Sequence, residues 1–170
     1  AWLQAIYRDT NLTVPEVLLD ETGRSVHQLD LLNSDTKRFL SIYTFLPGGE
    51  LPERDIIAGF ERLGSVTAQL HQHTKTWEHP IGFERPAWSA ENILNDTYCW
   101  GHWKDGVDVD AEVSSLLRRA EDIVLKRIAE LSQDRSNFGL IHADLRLTNV
   151  LVEGERTAII DFDDSGFGWY

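Results

Sequence analysis

The sequence predicts an α+β fold, and three observations lead to it. Strand-like runs dominate the chain up to Leu46, two long helical periodicities follow, and short strands close it. Trp2, Leu3, Ile6 and Tyr7 recur at helical spacing, so Ala1 to Asp9 reads as the tail of a helix, stopped by Asp9-Thr10-Asn11 and Pro15. Glu16 to Asp20 and Ser25 to Leu31 read as two strands around the turn Glu21-Thr22-Gly23. Arg38 to Leu46 is a further β-rich run, closed by Pro47-Gly48-Gly49.

Pro52 suits a first helical position, where its missing N–H costs nothing. Ile56, Ile57, Phe60, Leu63, Val66 and Leu70 then repeat at three and four, which predicts one amphipathic helix to about His73. Thr74 to Gly106 is irregular, with a short helix near Ser89 to Leu94. Val113, Leu116, Leu117, Ala120, Val124, Ile128 and Leu131 mark a second long amphipathic helix. Short strands follow at Leu140 to Ile141, Val150 to Val152 and Thr157 to Ile160, the last two joined through Glu153-Gly154-Glu155.

With 170 residues, 42% hydrophobic and 26% charged, the chain has the composition of a globular domain with a core of its own. Sixteen Lys and Arg oppose 28 Asp and Glu, a net charge of −12, which argues against a nucleic-acid or anionic-membrane surface. No apolar run is long enough to cross a bilayer. Cys99 is alone, so it forms no internal disulfide, which fits a reducing cytoplasm. The chain starts at Ala1 and contains no Met, which reads as an excerpt of a longer protein.

The chemistry concentrates near the end. His142, Asp144 and Asn149 form H-x-D-x-x-x-x-N, and Asp161-Phe162-Asp163 follows a β-branched run one hairpin later. Singly, each residue has a bland reading, since Asp after a strand is a common turn former. Together they supply what phosphoryl transfer needs, which is positioning and charge neutralisation more than covalent chemistry. One carboxylate, Asp144, serves the proton of an attacking hydroxyl. A second carboxylate and an amide oxygen, Asp161 and Asn149, suit Mg²⁺, a hard ion that prefers oxygen ligands.

The segment His142-Ala143-Asp144-Leu145-Arg146-Leu147-Thr148-Asn149, taken with Asp161-Phe162-Asp163, resembles the phosphotransferase family of aminoglycoside and choline kinases. The string from His142 through Trp169 is most similar to its bacterial branch of homoserine-kinase-like and stress-response kinases. The resemblance implies a protein-kinase-like two-lobe fold. Residues 1–47 would be a partial small lobe with the hinge, and 48–170 a partial large lobe with the catalytic loop and metal-binding hairpin. It further implies ATP and Mg²⁺ as cofactors and a small-molecule hydroxyl as acceptor. Asp144 would be the catalytic base, Arg146 would neutralise the transferred phosphate, and His142 would brace the loop. Asn149 and Asp161 would ligate the metal, with Asp163 a third oxygen donor or orienting group. Thr44, Phe45 and Leu46 would form the hinge whose backbone reads adenine. The family's Gly-rich loop, phosphate-binding Lys and partner helix Glu are not found, and Gly48-Gly49 follows the hinge strand and so cannot stand in for the loop. The chain is therefore expected to lack the first strands of the small lobe and the last helices of the large lobe, and to be inactive alone.

Two weaker patterns have plain explanations. His71, His73 and His79 do not share a helix face or match a zinc spacing, so they read as structural or surface residues. Trp88, Tyr98, Trp100 and Trp103 lie beside the acidic stretch Asp105 to Glu112, which would suit a cationic acceptor through cation–π attraction, although core packing is the commoner explanation for large rings. Cys99 is assigned no chemistry. Two alternatives to a small-molecule kinase remain: a Ser/Thr protein kinase of the stress-response type, and a pseudokinase or nucleotide-sensing module. Asp144→Asn separates the catalytic readings from the sensor, because only the former have turnover to lose.

Overall fold

The computed structural model describes residues 1–30, 36–50, 55–94 and 101–170. Along them run α1 (Trp2–Asp9), β1 (His27–Asp30), β2 (Lys37–Leu40), α2 (Ile56–Thr76), α3 (Ala90–Ile93), α4 (Ala111–Ile128), β3 (Phe138–Ile141), β4 (Val150–Glu153), β5 (Arg156–Ile159) and β6 (Gly166–Trp169). Single 3₁₀ turns occupy Trp103–Asp105 and Leu147–Asn149. This is the α+β mixture expected. The chain gathers into two compact units, one of residues 1–83 with 144–162, the other of 84–143 with 163–170. The boundary placed after residue 47 from the sequence lies inside the first of them.

In the first unit, α1 buries Trp2, Ala5 and Ile6, the i, i+3, i+4 stripe that its sequence provides. Ile6, Val14, Val66, Leu70, Val150, Ala158 and Ile159 are all nearly or fully buried and form its core. The α1 chain stops where Thr10 turns its hydroxyl back onto the Ile6 carbonyl at 2.8 Å. Helix α2 runs slightly past His73, and the Thr76 hydroxyl closes its last turn on the His73 carbonyl. The helix start expected at Pro52 lies outside the described residues, as does Leu31 at the end of the second expected strand.

One strand pairing differs from expectation. The turn at Glu21-Thr22-Gly23 forms, with the Asp20 carboxylate accepting from the Thr22 and Arg24 amides at 2.8 and 2.9 Å. A bond from the Thr22 hydroxyl, together with these amide bonds, holds the Asp20 carboxyl well below the usual carboxylate range. Beyond the turn the two arms part. β1 pairs with β2, from His27 opposite Leu40 to Asp30 opposite Lys37. Glu16 to Leu18 bonds instead to Ile42 to Thr44, through Leu18 N to Ile42 O at 2.8 Å and Thr44 N to Glu16 O at 2.9 Å. The run Arg38 to Leu46 is thus shared between two partners. A turn motif fixes a local reversal, whereas the partner of each arm is set by pairing over longer range.

In the second unit, β3 and β6 pair antiparallel from Phe138 opposite Trp169 to Ile141 opposite Gly166. β6 is not among the strands expected from the sequence, since glycine at two of its four positions lowers strand propensity. Its glycines answer to packing: a Cβ on Gly168 would come 2.6 Å from Ile141 Cδ1, and one on Gly166 would come 2.8 Å from the Trp88 ring. Asp110 caps α4 by accepting from the Val113 amide at 2.9 Å, while Lys126 and Arg127 oppose the dipole at its other end. No α4 residue is buried against the described residues, and Leu116 and Ile123 are more than half exposed. The loop into β3 is knotted by Asp134, whose carboxyl is pushed down to about 2 by the Ser132 and Ser136 hydroxyls and the Ser136 amide.

Candidate active site

The loop between β3 and β4 carries the H-x-D-x-x-x-x-N residues. Its core is a tight knot in the first unit. Asn149, 5% exposed, donates through Nδ2 to both the backbone oxygen and Oδ2 of Asp144, each at 2.9 Å. Backbone bonds from Arg146 N to Asp144 O at 3.1 Å and from Asn149 N to Arg146 O at 2.9 Å close the 3₁₀ turn that makes this reach possible. Arg146 Nε lies 3.3 Å from the same Asp144 Oδ2. Asn149 and Arg146 therefore both hold Oδ2 of Asp144.

The second carboxylate lies nearby. Ile160 N donates to the Asn149 backbone oxygen at 3.0 Å, which sets Asn149 beside the residue preceding Asp161. Hairpin β4–β5 makes this adjacency, with Val150 opposite Ile159. Asp161 has φ of 67° and Ala143, just before Asp144, has φ of 69°. Non-glycine residues held there cost on the order of 1–3 kcal/mol each and cluster at functional sites. His142, 3% exposed, and Asp163, exposed, fall in the second unit.

The donor set suits a hard cation. Asn149 spends its NH₂ on Asp144, so its Oδ1, an acceptor only, is the atom left to offer. No group of three His, Cys, Asp or Glu able to hold a metal occurs among the described residues. A cation bound by so few protein oxygens must complete its shell with water and phosphate, as Mg²⁺ ordinarily does.

The predicted hinge residues lie in the same unit. Thr44 N and Oγ1 are both engaged with Glu16, and Phe45 is 89% exposed. Thr44, Phe45 and Leu46 line a cleft of about 450 Å³ with Tyr7, Val14 and Arg156. The turn that leaves them is stitched to β4 by the reciprocal bonds Val152 N to Gly49 O at 2.9 Å and Gly49 N to Val152 O at 3.2 Å. Gly48, at φ 127°, lies so close to Leu151 and Val152 that a side chain there would be both strained and crowded.

The histidines behave as structural residues. His73 is buried, accepts at Nδ1 from the Trp2 indole at 3.4 Å and faces Asp9 Oδ2 through Nε2 at 3.3 Å. Indole only donates, so Nδ1 is unprotonated and Nε2 carries the hydrogen given to Asp9. A cleft of about 690 Å³ beside them, lined by Arg8, Asp9, Gln72 and Trp77, is larger than the hinge cleft but contains none of the motif residues. His79 packs edge-on to Trp77 with ring centroids 5.0 Å apart. Of the aromatic cluster, Tyr98 and Trp100 lie outside the described residues, as does Cys99. Trp103 already carries a cation, with Lys104 Nζ 5.5 Å from its ring centroid.

The sequence reading missed Arg85. Its Nε donates to the Ser165 carbonyl at 2.5 Å and its guanidinium also donates to the Asp163 carbonyl. Trp88 Nε1 donates to the Asp164 carbonyl at 2.9 Å. An Arg-Pro pair in a loop carries no motif, and the bonds span some eighty positions, so no local signal announces them.

The profile of the phosphotransferase enzyme family, APH, matches residues 1–170. The chain belongs to that family. The APH chain is 28% identical over 134 residues to the amicoumacin kinase of Bacillus subtilis (strain 168), covering 77% of its own length and 37% of that protein. Among solved structures it is similar to a microcompartment-associated aminopropanol kinase, with a TM-score of 0.90, 39% identity, and coverage of 99% of this chain and 53% of that one. An amicoumacin kinase in complex with AMP-PNP, Ca²⁺ and Ami superposes with a TM-score of 0.77 at 25% identity, covering 99% of this chain and 47% of that one. The aminoglycoside phosphotransferase APH(4)-Ia, at 21% identity and a TM-score of 0.59, shares the fold, with 96% of this chain and 55% of that one covered. This APH chain thus spans about half the length of those structures and just over a third of the curated relative. The protein-kinase-like fold expected from the motifs is borne out. No helix among the described residues is long and apolar enough to cross a membrane.

Proposed function

We propose that the protein carrying this chain transfers the γ-phosphate of ATP, with Mg²⁺, to a hydroxyl of a small molecule: an amino alcohol, an aminoglycoside or a hydroxy amino acid. Family membership supports the reaction class, and the names of its relatives, an aminopropanol kinase and an amicoumacin kinase, support a small acceptor. The observation that carries the reading is the Asn149 bridge to Asp144 next to Asp161. With Oδ2 held by Asn149 and Arg146, Asp144 directs Oδ1 at the acceptor hydroxyl and takes its proton as the oxygen attacks phosphorus. Arg146, with its side chain 65% exposed, turns to the transferred phosphate. Asn149 Oδ1 and the Asp161 carboxylate would hold Mg²⁺, with Asp163 as a third oxygen donor or orienting group, and the ion would neutralise phosphate charge. His142 braces the loop from its buried position. The Thr44 to Leu46 backbone reads adenine, and residues 1–47 and 48–170 are portions of the small and large lobes. A net charge of −12 supports a cationic acceptor, and the lone Cys99 supports a cytoplasmic location.

The test is transfer of label from [γ-³²P]ATP in the full polypeptide that carries this chain. Acceptors are aminopropanol, other amino alcohols, aminoglycosides, homoserine and a generic protein, with Asp144→Asn as control. Label on one small acceptor, lost by at least a hundredfold in the control, is the expected result. Label on protein alone makes it a protein kinase. Nucleotide binding without Asp144-dependent label on any acceptor points to a sensor module.

A further inference from the structure

We infer that His73, acting through Trp2, is a positioning residue for Asp161, a role that rests on the metal-dependent reading above. Every residue involved belongs to the first unit. Asp161 stands at φ 67°, a conformation that a residue other than glycine keeps only where its surroundings over-determine it. Both of its chain neighbours are gripped. On one side Ile160 N donates to the Asn149 backbone oxygen at 3.0 Å. On the other the Phe162 ring lies edge-on to the Trp2 indole, with centroids 5.5 Å apart and planes at 79°. Such a pair is attractive only in particular orientations, so the indole sets the Phe162 ring and with it the peptide that carries Asp161.

The indole is itself held. Trp2 is 5% exposed and donates through Nε1 to His73 Nδ1 at 3.4 Å, while His73 Nε2 faces Asp9 Oδ2 at 3.3 Å. Trp2 and Asp9 stand seven positions apart on α1, so they share one of its faces, and a single imidazole from α2 engages both. That imidazole has little latitude, because the Trp77 ring stacks on it with centroids 5.9 Å apart. Arg8 holds the far oxygen of Asp9, Nε to Oδ1 at 2.6 Å, and keeps its carboxyl below the ordinary range, so Asp9 stays an acceptor for the Nε2 hydrogen. An apolar side chain in place of His73 would leave the indole N–H buried without an acceptor, and the ring would turn to find one. Phe162 would lose the edge it packs on, and Asp161 one of its two grips.

The test uses the full polypeptide with AMP-PNP and Mn²⁺, the metal followed by EPR, beside kcat, the acceptor KM and urea stability. Trp2→Ala is expected to weaken Mn²⁺ about tenfold and to lower kcat with the acceptor KM unchanged. Trp2→Phe keeps a ring but no N–H, and His73→Leu removes the acceptor, so each should cost about threefold in Mn²⁺ affinity. The two combined should cost no more than either alone, because both delete one bond. His73→Asn, whose amide oxygen can stand in for Nδ1, should recover most of the loss. Should Trp2→Ala fail to fold, Trp2→Phe and the His73 variants decide. A His73→Leu chain that loses urea stability but binds Mn²⁺ normally, while Asp161→Ala loses the metal, overturns this inference and leaves the proposed reaction standing. Additive losses in the combined variant overturn it as well. Retention of Mn²⁺ by Asp161→Ala overturns the metal reading and this inference with it.

Discussion

Hairpins β1–β2 and β4–β5 have the same number of paired residues per strand and the same antiparallel ladder, yet they differ in what lies against them. In β1–β2 no residue is buried, and Phe39 is 69% exposed. In β4–β5, Val150 and Ile159 are completely buried and Ala158 is 2% exposed. Ladder hydrogen bonds largely replace bonds to water, so they do not tell the two apart energetically. Burial does, at roughly 1.5–3 kcal/mol for each large apolar side chain taken out of water. Arg62 of α2 adds a further hold on β5, donating to the Thr157 hydroxyl at 2.9 Å. The hairpin fixed in this way is the one with Asn149 at its entrance and Asp161 at its exit, where the proposed site needs a rigid support.

Exchanging side chains on the two hairpins tests that contrast. The largest effect is expected at the entrance: Asn149→Ala should lower phosphoryl transfer about a hundredfold, because it releases Asp144 and removes an oxygen donor together. Gln28→Ala in β1 should stay within about twofold in the same assay, and a comparable loss there would break the contrast. Next comes stability in urea. Ile159→Ala should cost about 2–4 kcal/mol, against less than about 0.5 kcal/mol for Phe39→Ala. A cost near that of Ile159 at Phe39 would show that something beyond the described residues packs on β1–β2.

The smallest effect concerns pH. Asp134, in the loop leading to β3, has its carboxyl lowered to about 2 in the folded chain. An unfolded Asp titrates near 4, so the group stabilises the fold above about pH 4 and that contribution fades as pH falls towards 2. Melting temperatures of the parent and of Asp134→Asn should therefore differ at neutral pH and converge across that acidic window. Parallel curves down to pH 2 would remove the group's role.

The family was legible because the motif residues sit close in sequence: Asp144, Arg146 and Asn149 fall within one loop, and Asp161 follows one short hairpin later. The helices were legible for a similar reason, since an apolar stripe such as Ile56 to Leu70 announces itself over a few turns. Pairings across long stretches were not. Glu16 to Leu18 finds Ile42 to Thr44, and Arg85 finds Ser165, with nothing local to choose those partners. β6 stayed hidden for another reason, because Gly166 and Gly168 lower strand propensity while serving a close approach that only three dimensions reveal. The strain at Ala143 was equally silent, since alanine does not advertise a positive φ.

The glycines of the β3–β6 ladder carry one more consequence. Gly166 and Gly168 face the same way on β6, where Trp88 and Ile141 press close, and Gly139 on β3 is covered by the Tyr170 ring. Sliding the strands by one position would put Phe167 or Trp169 where only hydrogen fits, so volume alone permits a single register. The peptide from Asp161 to Gly166 therefore cannot lengthen or shorten and be absorbed by a shifted ladder. Its count is fixed, and insertions and deletions there should be absent among variants that still fold.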